Sequence, residues 1–184
     1  FFPSERIVRT GPTVCTLSGM GGIGKTQIAI EFSHHCVQHH IFDTVVWIRA
    51  DSYTSLIKSF SAITSKFNLV RPGSSDEAII EAVKLWLSNL NPSTDVLSTM
   101  THSDDWLLVF NNVDDASLLT PFLPSTGTGC VLVTSRDPGL WFTIGSDNVA
   151  VEPLTNQESS GFLRSLTRID GDFTDISKGL GGLP

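Results

Sequence analysis

Three features are scarce in this 184-residue sequence: cysteine, positive charge and long apolar runs. No run reaches the roughly 18 apolar residues that a membrane-spanning helix needs, so the sequence predicts no such helix. Lysine and arginine total 12 against 19 acidic residues, and the net charge is −7. A chain this acidic lacks the basic surface that binds an extended phosphate backbone, which argues against nucleic acid as the main partner.

The cysteines are three in number, and no two of them form a C-x-x-C motif. Cys15, Cys36 and Cys130 therefore fit small buried hydrophobic residues in a reducing compartment, and we expect a cytoplasmic protein. The first residues lack a basic segment followed by an apolar stretch, and the sequence does not begin with Met. We therefore expect the chain to be a piece of a longer protein.

A glycine-rich stretch at residues 19–26 matches the pattern G-x-x-x-x-G-K-[ST]. The apolar run at residues 14–18 predicts a buried strand before it. Ile28, Ala29 and Phe32 predict the apolar face of a helix after it. A strand, a glycine-rich turn and a helix in this order are typical of a phosphate-binding loop.

Glycines let consecutive N–H groups of this loop turn inward around a phosphate, with the positive end of the helix dipole behind them. Lys25 would reach the β- and γ-phosphates, and the Thr26 hydroxyl would bind Mg²⁺. The alternative is a glycine-rich turn that binds nothing. The predicted nucleotide-binding residues of this loop are Gly19, Gly21, Gly22, Ile23, Gly24, Lys25, Thr26 and Gln27.

Strands and helices alternate along the rest of the chain, which predicts an α/β fold with a parallel sheet covered on both faces. Further strands are predicted at residues 44–48, 106–110, 130–134 and 148–151, and further helices at 53–67, 79–90 and 156–166. Residues 91–105 predict a mobile loop. In such sheets the ligand lies beyond the carboxyl ends of the strands.

Three local patterns have competing interpretations. Trp47 lies in a continuous β-branched and aromatic run, so we expect it in the core and not in a site. Ser74-x-x-Glu77 is predicted to be a capping box at the start of the third helix. His35 and His39 have a spacing that can hold a metal, but no Cys or carboxylate partner is near in the sequence, so a solvated helix end is expected.

Five motifs, in order, resemble those of the NB-ARC domain found in plant disease-resistance proteins, apoptosome scaffolds and fungal NOD-like receptors, and their style is closest to the fungal branch. The resemblance covers nearly the whole chain. The matching segments are residues 19–26 with Gln27, the F-D-x-x-x-W-I-x-x-D segment at 42–51, W-L-L-V-F at 106–110 with its Asn/Asp tail, V-T-S-R at 133–136 and G-L-P at 182–184.

The resemblance implies a P-loop NTPase fold with a five-stranded parallel sheet in the order 2-3-4-1-5. It implies a nucleotide-binding domain over residues 1–154 and the truncated start of a helical subdomain over 155–184. Arg136 matches the sensor arginine, and Pro184 matches a proline that packs near the adenine. The family's G-R-E motif and its winged-helix region with the M-H-D histidine are expected outside this chain.

The function that the resemblance implies is an ADP/ATP-gated switch with Mg²⁺, in which nucleotide exchange permits self-oligomerisation and activates a linked effector domain. The effector and sensor domains would lie outside this chain. Partners would be an adenine nucleotide and further copies of the protein, with no nucleic acid and no membrane.

One position departs from the family pattern. Where the strand at residues 106–110 should lead into an Asp that orients the Mg²⁺ shell, this sequence has Asn111. An amide brings no negative charge and cannot act as a general base, so hydrolysis is expected to be slow or absent. Asp114 or Asp115 would substitute for the missing carboxylate, unless they are turn residues or caps of a short helix at 116–119. The predicted catalytic set is Asn111, Asp114, Asp115 and Arg136, and the predicted metal ligands are Thr26 and Asn111.

Two rival functions stay open at this point. An active P-loop ATPase or a small-molecule kinase would need a catalytic carboxylate, and a kinase would also need lid arginines and an acceptor pocket. A degenerate scaffold that binds nothing is favoured by Asn111 and opposed by the intact glycine, Lys25 and Thr26 set.

Overall fold

The computed structural model describes residues 11–89, 106–127 and 129–184. The strands are β1 (Thr13–Ser18), β2 (Thr44–Arg49), β3 (Trp106–Asn111), β4 (Cys130–Ser135) and β5 (Asp147–Ala150). The helices are α1 (Lys25–Gln38), α2 (Tyr53–Phe67), α3 (Asp76–Asn89), α4 (Ala116–Leu119), α5 (Leu140–Ile144), α6 (Asn156–Thr167) and α7 (Thr174–Gly179), with a 3₁₀ turn at Thr120–Phe122. The loop predicted at 91–105 lies outside the described residues.

The five strands form one parallel sheet in the order β2-β3-β4-β1-β5, so the predicted fold class and strand order are confirmed. β1 and β4 pair in full register, from Thr13 opposite Cys130 to Ser18 opposite Ser135. Because all strands run the same way, the segments that follow β1, β3 and β4 meet at one edge of the sheet.

The larger part of the core lies on the face of the sheet that packs against α2, α3, α4 and α5. Phe60 of α2 is fully buried there, with its ring 5.0 Å from that of Phe122 and 6.5 Å from that of Phe110. The buried Trp106 donates from its indole nitrogen to the Leu87 carbonyl at 3.0 Å, which ties β3 to α3. Burying a side chain of this size contributes about 1.5–3 kcal/mol, so this face fixes the positions of β3 and β4.

The opposite face has a smaller core, in which Ala29 of α1 packs with apolar residues of β1, β3 and β4. Ile28 and Phe32 of α1 are partly exposed there and line an apolar cavity of about 450 Å³. Cys36 is buried as predicted, whereas Cys15 and Cys130 are only half-buried along the same cavity. Burial raises the pKa of Cys15 and of Cys36.

The prediction that Trp47 lies in the core is wrong, because its side chain is 38% exposed. β2 is one of the two edge strands of the sheet, and in this strand only Ile48 is buried. A continuous β-branched run was expected to be covered on both faces, but an edge strand can carry the same sequence with one face partly open to solvent.

The N-terminal cap of α3 is one residue later than predicted. Ser75, not Ser74, accepts a hydrogen bond from the backbone N–H of Ala78 at 3.3 Å. Ser74 instead donates to the Arg71 carbonyl at 2.8 Å and stabilises the preceding turn. Two adjacent serines offer the same cap, and the local turn decided between them.

The last two helices follow β5 without a new strand. α6 begins with a capping box in which the Thr155 hydroxyl accepts from the Glu158 N–H at 3.3 Å and Glu158 accepts from the Thr155 N–H at 2.8 Å. α6 packs against α7, and the chain then returns to the start of α6, where the Leu154 N–H donates to the Gly182 carbonyl at 2.8 Å. In the described ranges, no helix is long and apolar enough to span a bilayer.

Candidate functional site

A pocket of about 340 Å³ lies at the carboxyl edge of the sheet, where the segments after β1, β3 and β4 meet. A ligand is expected at this edge from the sequence, because ligands of parallel sheets lie beyond the carboxyl ends of the strands. Its lining combines loop backbone with cationic and amide side chains, namely Gly21, Gly22, Gly24, Lys25, Thr26, Gln27, Asn112, Thr134 and Arg136. Six of these belong to the predicted phosphate-binding loop.

The loop between β1 and α1 holds a backbone conformation that requires glycine. Gly24, the residue before α1, has φ 94°, and no side chain caps the helix there within the described part of the chain. The N–H groups at the start of α1 are thus available to a ligand, and the helix dipole adds positive potential at the same point. Ile23 is buried, so its contribution to a ligand would come from its backbone alone.

Lys25 is buried at the first turn of α1, and its ammonium group is directed back onto the loop. Its Nζ donates to the carbonyls of Gly19 and Met20, each at 2.7 Å. Burial and the nearby Arg136 charge lower the pKa of Lys25, while Asp114 acts in the opposite direction. Two cations beside one carboxylate leave this part of the pocket suited to an anion.

Thr26, Asn111 and Thr134 form a hydrogen-bonded group behind the loop. The Oδ1 atom of Asn111 accepts from the Thr26 hydroxyl at 2.9 Å and from the Thr134 hydroxyl at 3.0 Å. The two predicted metal ligands, Thr26 and Asn111, are therefore in direct contact. The amide oxygen that would face a metal shell is already engaged by two hydroxyls.

Thr134 is a site residue that the sequence analysis missed as an individual position. It is buried at the end of β4, where its hydroxyl accepts from the Asn112 N–H at 2.8 Å and its carbonyl accepts from the Val113 N–H at 2.8 Å. These bonds hold the turn after β3, in which Asn112 has φ 65°. The available signal was its place in the V-T-S-R motif, two residues before Arg136.

Arg136 and Asp114 form a two-point ion pair at the mouth of the pocket. Nε of Arg136 donates to Oδ1 of Asp114 at 3.2 Å, and Nη2 donates to Oδ2. The hydrogen bond that Arg136 donates to Asp114, and then the negative charge of Asp114, raise the pKa of Arg136 above its ordinary value. Paired geometry of this kind is the way in which arginine binds carboxylates and phosphates alike.

Asp115 has a different role from its neighbour. Its Oδ1 accepts from the Ser117 N–H at 2.8 Å and from the Ser117 hydroxyl at 2.7 Å, which makes it the N-cap of α4. These bonds lower the pKa of Asp115. Its position matches the cap alternative, and it does not line the pocket.

The C-terminal Pro184 approaches the loop from the side of α6 and α7. Its Cγ lies 3.5 Å from the position that a β-carbon on Gly24 would take. This approach depends on Gly182, where φ is 74° and a β-carbon would lie 2.5 Å from the Leu154 carbonyl oxygen. Pro184 and the phosphate-binding loop, far apart in the sequence, are therefore adjacent in the structure.

The donor set fits a nucleotide better than a bare metal ion. Backbone N–H groups, Lys25 and Arg136 suit phosphates, whereas the contacts near Thr26 and Asn111 are neutral oxygens. Mg²⁺ at protein sites usually combines few protein ligands with substrate phosphates, so these residues suit a metal that arrives with a nucleotide. His35 and His39 are exposed, and the described residues contain no group of three metal-binding side chains.

Comparisons with known proteins agree with this geometry. The model of the NB-ARC domain matches residues 4–168. A nucleotide-binding leucine-rich-repeat-like protein of Hyaloscypha variabilis is 26% identical over 168 residues, covering 81% of this chain and 16% of that protein. Probable disease resistance protein RF45 of Arabidopsis thaliana is 25% identical, over 79% of this chain and 14% of its own. The chain thus spans about a sixth of the length of these relatives.

Solved structures share the fold. A signal transduction ATPase with numerous domains from Pyrococcus horikoshii, with a tetratricopeptide-repeat sensor, aligns with all of this chain and 28% of its own at TM-score 0.57 and 17% identity. Cdc6p of Pyrobaculum aerophilum aligns with 88% of this chain and 46% of its own at TM-score 0.53 and 16% identity. At such identities the likeness concerns the fold alone. The family match over nearly the whole chain supports more: the chain belongs to the NB-ARC domain family of nucleotide-binding, switch-type domains.

Proposed function

We propose that this chain binds ADP and ATP at the carboxyl edge of the sheet and acts as the nucleotide-gated switch of a larger signalling receptor. The observation that carries the proposal is the convergence of a glycine-rich loop, Lys25 and Arg136 on one pocket. Two cations and a helix N-terminus around a volume of this kind favour a polyphosphate ligand.

Within this proposal, the loop N–H groups and Lys25 hold the phosphates shared by ADP and ATP. Lys25 leaves its bonds with the Gly19 and Met20 carbonyls and donates to phosphate oxygens instead. That exchange replaces neutral acceptors by charged ones, which strengthens the bonds. Arg136 responds to the third phosphate, and Pro184 contributes apolar surface near the base. Gln27, whose amide donates to Glu31 at 3.1 Å, flanks the loop.

Mg²⁺, held by Thr26 together with the nucleotide, would neutralise charge on the phosphates. We propose that Asn111 keeps this chain a slow hydrolase or none, because a neutral amide neither strengthens metal binding nor accepts a proton from water. The Thr134 hydroxyl fixes the Asn111 side chain. Asp114 pairs with Arg136, and Asp115 caps α4. Neither carboxylate is therefore directed to replace the one that is missing at position 111.

Exchange of ADP for ATP would then permit self-oligomerisation of the whole protein and activation of a linked effector. We propose that a nucleotide-binding domain passes into a helical subdomain near residue 154. We also propose that the protein is cytoplasmic and that neither nucleic acid nor a membrane is its partner. The position of Pro184 beside Gly24 supports a path by which the helices that follow β5 would sense phosphate binding.

A small-molecule kinase is less well supported. Of the arginines that the structure describes, Arg136 lines the pocket, while Arg49 binds Asp51 at the end of β2 and Arg164 bonds the Gly171 carbonyl at 3.3 Å. A kinase lid would need further cations at the pocket mouth.

The direct test is to release and identify the nucleotide that copurifies with the protein. Purified chain is denatured, and the supernatant is separated by ion-exchange chromatography against ADP and ATP standards. We expect near-stoichiometric adenine nucleotide from the natural sequence and little from Lys25→Ala. A purified chain that carries no nucleotide and takes up neither ADP nor ATP at millimolar concentration would refute the switch proposal and favour the degenerate scaffold.

A further inference from the structure

We infer that Asp114 sets the ATP/ADP preference of this site, because its carboxylate competes with the third phosphate of ATP for the guanidinium of Arg136. The inference rests on the proposed function, namely that a nucleotide binds in the pocket lined by Lys25 and Arg136. It adds to that function a residue, Asp114, that discriminates between the two nucleotides by lowering the affinity for ATP.

The first support is the geometry of the pair. Both carboxylate oxygens of Asp114 accept from the same guanidinium, through Nε and Nη2 of Arg136. This two-point arrangement uses the donors with which arginine would bind two oxygens of a phosphate. The carboxylate and a terminal phosphate therefore cannot both occupy this edge of Arg136.

The second support is the position of Arg136 relative to the loop. Its Cδ lies 3.6 Å from the place that a β-carbon on Gly21 would take, and its side chain lines the pocket. The guanidinium is therefore close to the phosphates when the carboxylate holds it. Burial and Arg136 lower the pKa of Lys25, and the charge of Asp114 opposes this lowering, so Asp114 also acts on the second cation of the pocket.

The third support is that Asp114 is held in place by its neighbours. Val113, the residue before it, donates from its N–H to the Thr134 carbonyl at 2.8 Å. Asp115, the residue after it, caps α4 through Ser117. Both anchors fix the backbone on either side of Asp114, so the carboxylate stays near the pocket when Arg136 turns to a phosphate.

The pair is also open enough to exchange partners. The side chain of Arg136 is 58% exposed and that of Asp114 is 40% exposed. Exposed ion pairs are weak, and a more highly charged phosphate can displace the carboxylate. A diphosphate bound to the loop and Lys25 leaves the pair intact, whereas a triphosphate has to break it and then lie beside the released carboxylate.

The test compares Asp114→Asn with the natural sequence, using equilibrium binding of fluorescent ADP and of a fluorescent non-hydrolysable ATP analogue, with and without Mg²⁺. We expect the dissociation constant for the ATP analogue to fall by roughly two- to tenfold, the range of a weak ion pair plus nearby charge repulsion, while that for ADP changes by less than about twofold. Asn keeps the size of Asp, so the turn after β3 is retained.

Asp51→Asn is the matched control. Asp51 forms a similar pair with Arg49, through Nε at 2.9 Å and Nη2 at 2.6 Å, at the end of the neighbouring strand β2 and away from the pocket lining. It removes the same charge from the same edge of the sheet, so it reports any general effect of a less acidic protein. The ATP/ADP ratio should be unchanged in this variant.

A second variant tests whether the effect of Asp114 on ATP affinity acts through Arg136. In Asp114→Asn combined with Arg136→Ala, the gain in affinity for the ATP analogue should disappear. The inference is overturned if Asp114→Asn weakens the ATP analogue, improves both nucleotides equally, or matches Asp51→Asn. A natural chain that binds neither nucleotide would refute the proposed function and this inference together, whereas binding of both with an unaltered ratio in Asp114→Asn refutes the inference alone.

Discussion

The loop before α1 and the turn after β3 meet at the same pocket but are built in different ways. The first presents backbone: glycines in left-handed conformation, open N–H groups and one buried lysine. The second presents side chains. Asn111 accepts from two threonine hydroxyls, Asp114 pairs with Arg136, and Asp115 is the N-cap of α4.

Because of this difference, nucleotide binding and nucleotide hydrolysis depend on different residues. A ligand site made of backbone depends on a few glycines and one lysine, all of which this chain has. A hydrolytic site depends on the charge of single side chains, and there this chain has the neutral amide of Asn111. We therefore expect changes in the loop to alter affinity and changes in the turn to alter hydrolysis or nucleotide preference.

The largest effect is expected from Asn111→Asp, which would give the turn the charge that it lacks. Hydrolysis of ATP should rise by about a hundredfold or more, the scale of one electrostatic catalytic contact, and Mg²⁺ should bind more tightly. Single-turnover phosphate release, with Mg²⁺ and with EDTA, measures both. The double variant Asn111→Asp with Lys25→Ala is the control for contaminating ATPase and should show no such gain. If Asp114→Asn abolished hydrolysis in the natural sequence, the catalytic carboxylate would be Asp114 and this prediction would fail.

Lys25→Ala should weaken ADP and ATP alike by about tenfold to hundredfold, because it removes a charge-assisted contact of about 1.5–3 kcal/mol. Equilibrium binding of both nucleotides measures the loss. Lys84→Ala is the control, since Lys84 pairs with Glu81 on α3 and lies outside the pocket lining. Unchanged affinity in Lys25→Ala would mean that the loop is not the binding site.

Arg136→Ala should weaken an ATP analogue by about tenfold and ADP by much less, because only the triphosphate reaches the side chain at the end of β4. The same binding assay gives both constants. Equal losses for the two nucleotides would indicate that Arg136 serves only as the structural partner of Asp114.

The smallest effect on binding is expected from Thr134→Val, which keeps the shape of the side chain and removes its hydroxyl. The Asn112 N–H then loses its acceptor, at about 1–3 kcal/mol of unfolding free energy, and Asn111 loses one of two contacts. We expect a lower melting temperature and an approximately threefold loss of nucleotide affinity. Thr64→Val is the control: its buried hydroxyl bonds the Ser61 carbonyl in α2, so it should affect stability alone. A nucleotide affinity equal to that of Thr64→Val would remove Thr134 from the site.

Much of this fold was readable from local patterns. Buried parallel strands such as β3 and β4 are continuous apolar runs, and their positions agree with the prediction almost to the residue. The prediction for Trp47 was wrong because the same kind of run also serves an edge strand, and the implied strand order had already placed this strand at an edge. The cap of α3 was misjudged by one residue because adjacent serines are locally equivalent.

The sequence by itself determined the glycine-rich loop and the amide at Asn111, since both depend on residue type at consecutive positions. Only the tertiary structure decided the partners of these groups. Pro184 approaches the loop from the segment after α7. The contacts of Thr134 with Asn111 and of Asp114 with Arg136 join residues from different strand ends. Such contacts arise because a parallel sheet brings distant strand ends to one edge, and no local pattern specifies which side chains will then pair.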